Sequence, residues 1–219
     1  MTLRIPSATY RLQFNQRFTF KQALEFISYF HELGISDLYA SPIMRSVSGS
    51  THGYDVLDCC QLNPEIGSEE DLSQMIQKLH ELGMGFVVDF VPNHMSISDS
   101  SNKWWQDVLE NGPSSLYAGY FNVIWNPPKA ELKDKVLLAV LDQQFGKVIE
   151  NQDIKVVYEG GAFFIVYKML QFPVNPRTWP MILNPVVEEL EPKLGETATD
   201  LLELQSIITA LEHLPTGEE

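Results

Sequence analysis

The feature that most constrains this chain is a junction it writes twice. Phe30-His31-Glu32-Leu33-Gly34-Ile35 and Leu79-His80-Glu81-Leu82-Gly83-Met84 share one pattern: the end of an amphipathic helix, a glycine, and the start of an apolar strand. Glycine takes the left-handed cap that stops a helix, and the chain turns straight back into extended structure. Two such junctions in series imply strand, helix, strand, helix, strand, and connections of that kind build a parallel sheet. His31 and His80 each fall in a last helical turn, where their ordinary part is to face the negative end of the helix dipole.

The rest of the first third is regular. Residues 8–14 alternate Tyr10, Leu12 and Phe14 against Arg11 and Gln13. Period two predicts a strand with one apolar and one polar face. The polar face, with Gln13, either reaches the mouth of a small barrel or meets water. Thr19 with Gln22, and Ser68 with Asp71, have the spacing of capping boxes. The helices they open carry apolar stripes: Phe20, Ala23, Leu24, Ile27 and Phe30 in the first, Leu72, Met75, Ile76, Leu79 and Leu82 in the second. Residues 35–40 predict a short strand closed by Ser41-Pro42. A Ser- and Gly-rich loop over 45–50 then leads into Thr51-His52-Gly53-Tyr54-Asp55.

The second junction opens onto Gly83-Met84-Gly85-Phe86-Val87-Val88-Asp89-Phe90-Val91-Pro92-Asn93-His94. A single carboxylate, Asp89, interrupts a β-favouring apolar run, and Pro92, with no amide hydrogen to give, ends the strand. Apolar residues on both faces suit a parallel sheet covered by helices on each side. An acid near the carboxyl end of such a strand, with Asn93 and His94 just past it, lies where parallel α/β folds keep their active sites. A buried Asp bonded to nearby backbone, beside a surface His, fits the same residues equally well.

After His94 the rhythm changes. Residues 96–102 read as a polar loop and 103–110 as a short helix stopped by Gly112-Pro113. Residues 117–125 are aromatic-rich, Asn126-Pro127-Pro128 is a turn, and 137–145 reads as helix or buried segment. Strands over 154–158 and 162–167 flank Gly160-Gly161, a hairpin signal whose antiparallel pairing does not belong to the earlier pattern. Residues 96–192 are therefore expected to form an α+β subdomain inserted after the third strand. Residues 1–95 form the region before it, and 193–219 bring a last helix (200–213; Leu201, Leu204, Ile207, Ile208, Leu211) and a polar tail, Leu-Pro-Thr-Gly-Glu-Glu.

The formal charge is −14, from 15 Lys and Arg against 29 Asp and Glu. Such a surface repels phosphate backbones and anionic membranes, so neither nucleic acid nor membrane is an expected partner, whereas a neutral ligand is compatible. No run approaches the roughly 20 apolar residues of a membrane span, and the start, Met-Thr-Leu-Arg-Ile-Pro, lacks a secretory h-region. Cys59 and Cys60 are adjacent, poor geometry for a disulfide, so free thiols in a reducing cytoplasm are expected. A metal site takes more ligands than that pair supplies.

Asp-Phe-Val-Pro-Asn-His, residues 89–94, resembles the first conserved region of the alpha-amylase superfamily, Asp-x-x-x-Asn-His after the third barrel strand. His52-Gly53-Tyr54-Asp55 is similar to the segment that gives those enzymes an aromatic platform for the sugar being cleaved. A subdomain after the third strand is a further feature in common. Ala-Thr-Tyr-Arg-Leu-Gln-Phe (8–14), Leu-Tyr-Ala-Ser-Pro-Ile (38–43), Gly-Ser-Thr-His-Gly-Tyr-Asp-Val (49–56) and Trp-Trp-Gln-Asp-Val-Leu-Glu-Asn-Gly-Pro (104–113) resemble one family within it, the maltooligosyl trehalose synthases. The likeness is good over about the first 125 residues.

The resemblance implies an α/β fold, a partial (β/α) TIM-type barrel of about three strands carrying the inserted subdomain. It also implies an isomerase of trehalose biosynthesis. Such an enzyme converts the reducing-end α-1,4 link of a maltooligosaccharide into α,α-1,1 by intramolecular transglucosylation, through a covalent glycosyl-enzyme. That chemistry takes two carboxyls about 5 Å apart and a site dry enough to disfavour hydrolysis. By resemblance Asp89 supports the site at the end of strand three, His94 bonds a sugar hydroxyl and Tyr54 stacks on the ring. His52, Asp55, Asn93 and Gln13 are further substrate contacts. Some amylases bind calcium at the Asn93 position; neither metal nor cofactor is expected here.

The nucleophile and acid of that family lie in later motifs, and no Arg-x-Asp strand end follows the inserted region. The expectation is an N-terminal portion without turnover of its own, whose partners are a maltooligosaccharide and either the remainder of a barrel or a second copy of itself. Two other readings of the same residues remain. One is an α-glucan-binding module using Tyr54, Trp104, Trp105 and Trp125 as platforms. The other is a hydrolytic metal site built from His52, Asp89 and His94.

Overall fold

The structure is a computed structural model and describes residues 5–195 and 197–214. The chain forms two compact units, Met1–Asn102 and Lys103–Glu219.

In the first unit, β1 (Thr9–Leu12), α1 (Phe20–Glu32), β2 (Asp37–Ala40), β3 (Met44–Ser46), β4 (Val56–Leu62), α2 (Glu69–Glu81) and β5 (Gly85–Val88) follow in order. β1, β2 and β5 make a parallel sheet with β2 in the middle. Both capping boxes form. The Thr19 hydroxyl accepts from the Gln22 N–H while Gln22 reaches back to Thr19, and Ser68 and Asp71 do the same. Each helix then closes in backbone alone. The N–H groups of Gly34 and Ile35 donate to His31 and Phe30, and those of Gly83 and Met84 to His80 and Leu79, the paired bonds of a Schellman motif. Gly34 (φ +87°) and Gly83 (φ +67°) supply the left-handed residue.

One face of the sheet meets both helices. Leu12, Leu38 and Ala40 join Phe20, Ala23, Ile27, Phe30, Met75 and Leu79 in a single core, with Phe86 and Val88 packed against it. Strand side chains alternate faces, so the level row Arg11–Tyr39–Val87 stands on the other side. Helices therefore cover this sheet on one side within the unit, not on both as the apolar run of the third strand suggested, and Val87 is 42% exposed. That run mixes two environments: Phe86 and Val88 serve the core, while Val87 sits level with a tyrosine and an arginine. β5 also ends at Val88, short of Pro92. The Asp89 N–H gives the last bond, to the Ala40 carbonyl, and beyond it β2 has run into Pro42, which has no N–H to continue the ladder.

The loop and strand between β2 and α2 hold an element that periodicity did not flag. β3 pairs antiparallel with β4, with shifts of register around Arg45. Both thiols of β4, Cys59 and Cys60, are free.

Asp71 carries a pH prediction. Its carboxyl is held below the usual carboxylate range, first by the Ser68 backbone N–H and then by the Ser68 side chain and Lys21. A lowered folded-state pKa stabilises the fold above the unfolded value of 3.8 and ceases to do so as pH falls through the folded one. Urea midpoints of Asp71→Ala and the parent are therefore expected to differ at pH 6 and to converge as pH falls through the folded-state pKa. A constant gap across that range would remove the carboxylate from the explanation.

The second unit contains α3 (Lys103–Asn111), α4 (Phe145–Glu150), β6 (Ile154–Glu159), β7 (Ala162–Tyr167), β8 (Leu170–Pro173), α5 (Pro180–Leu194) and α6 (Thr199–Glu212). β6 and β7 turn through Gly160 (φ +60°) and Gly161 (φ +87°), the two positive values of a type I′ hairpin. β8 adds a third antiparallel strand. Residues 137–144 are neither helix nor buried: they form irregular chain with a bend at Asp142-Gln143, Leu137 is 75% exposed, and only Phe145 onward is helical. Leu137 to Leu141 are apolar without a break, half-buried at Leu138, Val140 and Leu141 and exposed at Leu137 and Ala139, so the letters hold no helical period. α5 contains Pro185 and Pro192, which withhold amide donors and mask its helical pattern; Pro180 suits its first turn. α6 buries Leu201 and Ile208 and packs against α5. The polar tail beyond Leu214, and the first four residues of the chain, lie outside the described residues. Among those described, no helix is long and apolar enough to cross a membrane.

Candidate functional site

The site lies at the carboxyl end of the parallel strands, on the sheet face away from the helices. Asp89 follows β5 directly, and its Oδ2 accepts from two phenols, Tyr54 at 2.6 Å and Tyr39 at 3.1 Å. Both phenols share that one carboxylate oxygen. Tyr39 comes up from β2, two residues ahead of Ser41 in the same alternation. Its phenol is raised above the ordinary tyrosine range: its O–H already donates to Asp89, and ionising it would set an anion against that carboxylate.

Tyr54 arrives on the loop between β3 and β4, and that loop is pinned along its length. Glu65 accepts from the Ser48 hydroxyl at 2.7 Å and from the Gly49 N–H at 3.0 Å. Ser50 donates to Asp55 at 2.5 Å and accepts from the Gly53 N–H at 3.1 Å. From β1, Gln13 Nε2 donates to the carbonyls of Thr51 (3.1 Å) and His52 (3.2 Å), and Asn15 adds a bond to Thr51. Gly53 has φ +76°, and a Cβ there would stand 2.7 Å from the Pro42 carbonyl oxygen. The loop can sit this close to the end of β2 only because that residue has no side chain.

His52 lies with its ring stacked near Tyr54, centroids 6.1 Å apart at 23°, and its Nδ1 accepts from the Tyr54 N–H at 3.0 Å. From the other side His94 brings Nε2 to 3.0 Å from the Tyr54 carbonyl; a carbonyl only accepts, so that nitrogen carries the proton. Asn93 Oδ1 is 3.3 Å from His94 Nδ1. The two histidines thus hold the backbone of Tyr54, one at its N–H and the other at its carbonyl.

The carboxylate, ring and imidazole singled out from sequence therefore come together. Asp89, Tyr54 and His94 form one group; Gln13, His52 and Asp55 hold the loop that bears Tyr54; Asn93 stands beside His94. Sequence reasoning missed Arg11 and Tyr39. Arg11 donates to Gln13 Oε1 at 2.8 Å and to Tyr54 Oη at 3.3 Å, with its guanidinium carbon 5.7 Å from the Tyr39 ring centroid. Alternation with Gln13 was the signal for Arg11, whereas Tyr39 is placed only by strand register. Trp104, Trp105 and Trp125 belong to the second unit. Trp105 is 5% exposed, and Trp104 stacks on Tyr117 at 5.2 Å and 8°. Among the described residues no three His, Cys, Asp or Glu side chains group to hold a metal ion.

An exposed tyrosine face beside a carboxylate and an imidazole suits a neutral ring that is apolar on one face and rich in hydroxyls at its edge. The C–H face lies on the aromatic ring, and the hydroxyls meet charged acceptors and N–H donors in bonds stronger than neutral ones.

The family model for the alpha-amylase catalytic domain matches residues 21–153, more than half of the chain. A putative maltooligosyl trehalose synthase of Mycobacterium tuberculosis is 43% identical over 124 residues, 54% of this chain and 16% of that protein. An intracellular maltogenic amylase of Bacillus subtilis is 34% identical over 97 residues, 44% of this chain and 16% of its own length. Among solved structures, maltooligosyltrehalose synthase from Arthrobacter ramosus superposes with a TM-score of 0.68 at 38% identity, covering 78% of this chain and 21% of that one. A second maltooligosyl trehalose synthase structure gives 0.71 at 37%, covering 77% and 22%. The chain thus spans about a fifth or less of the length of these relatives.

Proposed function

The chain belongs to the alpha-amylase family, and from that premise we propose that it carries the glucose-facing N-terminal part of a maltooligosyl trehalose synthase-type site. The reaction is the conversion of the reducing-end α-1,4 link of a maltooligosaccharide to α,α-1,1, an intramolecular transglucosylation of trehalose biosynthesis. The observation that carries it is the convergence of Asp89, Tyr54 and His94 at the ends of parallel strands, in a chain similar to those synthases. In this reading β1, β2 and β5 are the first three strands of a (β/α) barrel, and residues 96–192 are a subdomain inserted after them. The outward row Arg11–Tyr39–Val87 faces what the barrel encloses.

Each of these residues has work in that reaction. Tyr54 stacks under the glucose being transferred. His94, protonated on Nε2, has a donor that a sugar hydroxyl shares with the Tyr54 carbonyl. Asp89 keeps Tyr54 and Tyr39 oriented and offers a charged acceptor at the strand end. The nucleophile and the general acid are two further carboxyls about 5 Å apart, and Asp89 alone is not such a pair. These 219 residues by themselves are therefore expected to bind without turnover. A partner that completes the sheet follows from the same reading: β1 and β5 each have one neighbour among the described strands, so each offers an edge to the remainder of a barrel or to a second copy. The free thiols of Cys59 and Cys60 support a reducing, cytoplasmic setting.

The test is to incubate the chain with maltopentaose, follow binding by calorimetry and look for a trehalose-capped product by chromatography. Binding without product is expected. Product from this chain alone would overturn the division of labour, and absence of binding would overturn the sugar site. Asp89→Ala deprives both phenols of a charged acceptor, a bond of about 1.5–3 kcal/mol, so affinity is expected to fall roughly 10- to 100-fold. An unchanged titration curve would remove Asp89 from the site.

A further inference from the structure

Arg11 and Tyr39 stand in the site with no part yet assigned to Arg11. On the outer sheet face Arg11 is level with Tyr39 across the β1–β2 ladder, its guanidinium over that ring at 5.7 Å. One nitrogen, Nη1, donates to Gln13 Oε1 at 2.8 Å; the other, Nη2, donates to Tyr54 Oη at 3.3 Å. Gln13 in turn anchors the backbone of Thr51 and His52, and Tyr54 donates its hydroxyl to Asp89 at 2.6 Å. A planar fork holds two partners at a fixed angle, which a rotating ammonium cannot do. A hydroxyl that accepts from a cation is also a stronger donor, so the bond from Arg11 reinforces the one from Tyr54 to Asp89.

We infer that Arg11 is a positioning residue of this site. Seated on Tyr39, it ties Tyr54 to the loop anchor Gln13 and holds the Tyr54 hydroxyl on Asp89, so the ring is set before a sugar arrives. The inference rests on the glucan reading of the site, and Arg11 acts through Tyr54 rather than by touching sugar.

The test is a double-mutant cycle on the 219-residue chain, with Arg11→Met, Tyr54→Phe and the pair, read by maltopentaose calorimetry and by urea unfolding. Arg11→Met is expected to weaken binding about fivefold, the worth of one net hydrogen bond. In the Tyr54→Phe background the same change is expected to weaken it less than twofold, because the hydroxyl through which it acts is gone. Arg11→Lys, which keeps the charge without the fork, is expected to retain most of the loss. Equal weakening in both backgrounds, no weakening, or full recovery with lysine would each overturn the proposal. Should the parent chain fail to bind maltopentaose, the sugar reading falls, and the urea cycle still decides the Arg11 claim: non-additive midpoint shifts support it and additive ones overturn it.

Discussion

Replacing Gly53 with alanine is expected to lower the stability of the first unit by about 2–4 kcal/mol and to abolish maltopentaose binding. Two separate penalties combine. The residue sits at φ +76°, where a Cβ meets its own backbone, and that Cβ would stand 2.7 Å from the Pro42 carbonyl oxygen. The neighbour is main chain at the end of β2, held by the Ser41 N–H bond to Leu12, so it has no rotamer by which to yield. Either β2 shifts or the 50–55 loop lifts, and a lifted loop takes Tyr54 away from Asp89 and His94 together. Gly34→Ala is the control. Its φ is +87° but nothing lies within 4 Å of the added Cβ, so only the conformational part, about 1–2 kcal/mol, is expected. Equal urea midpoints for the two variants would show that the close approach to Pro42 carries no weight.

Phe20→Ala is expected to cost about 3–5 kcal/mol, the second of the large effects. Phe20 is fully buried at the first turn of α1, with its ring centroid 5.2 Å from that of Phe14. It joins the segment after β1, α1 and the turn before α2: its N–H donates to the Ile66 carbonyl, and its Cδ2 would stand 3.0 Å from a Cβ on Gly67. Domains commonly have only about 5–15 kcal/mol in hand, so this one cavity takes a large share of the stability of the unit. Chemical unfolding monitored by far-ultraviolet circular dichroism reads it directly. A loss below about 1 kcal/mol would mean that the surrounding rings collapse into the space.

How much was legible in the sequence differs between the two units. In the first, the signals were local. Thr19 and Ser68 cap where their spacing says, Gly34 and Gly83 stop the helices, and the stripe from Phe20 to Phe30 is the stripe that is buried, because each depends on neighbours within one turn. The β3–β4 pair escaped, since its register slips around Arg45 and its residues do not alternate cleanly. In the second unit Gly160-Gly161 announced its hairpin through backbone conformation alone. α5 stayed hidden behind Pro185 and Pro192, and residues 137–144 looked helical or buried because an unbroken apolar run, Leu137 to Leu141, carries no period that would tell a packed segment from an exposed one. The site divides in the same way. Asp89, Tyr54 and His94 were recognisable as a motif, but Tyr39 enters only when β2 lies level with β5, a fact of register that no single segment holds.

The twin helix ends have one last consequence, for tolerance to change. Because α1 and α2 are both finished by main-chain bonds, His31, Glu32, His80 and Glu81 have no closing duty to perform and are free to drift. The glycines are the constrained positions, through their φ, since a Cβ added at Gly34 or Gly83 would meet nothing within 4 Å. Surface variation on those helices is thereby insulated from the entry of β2 and β5, and so from the places where Tyr39 and Asp89 come to rest.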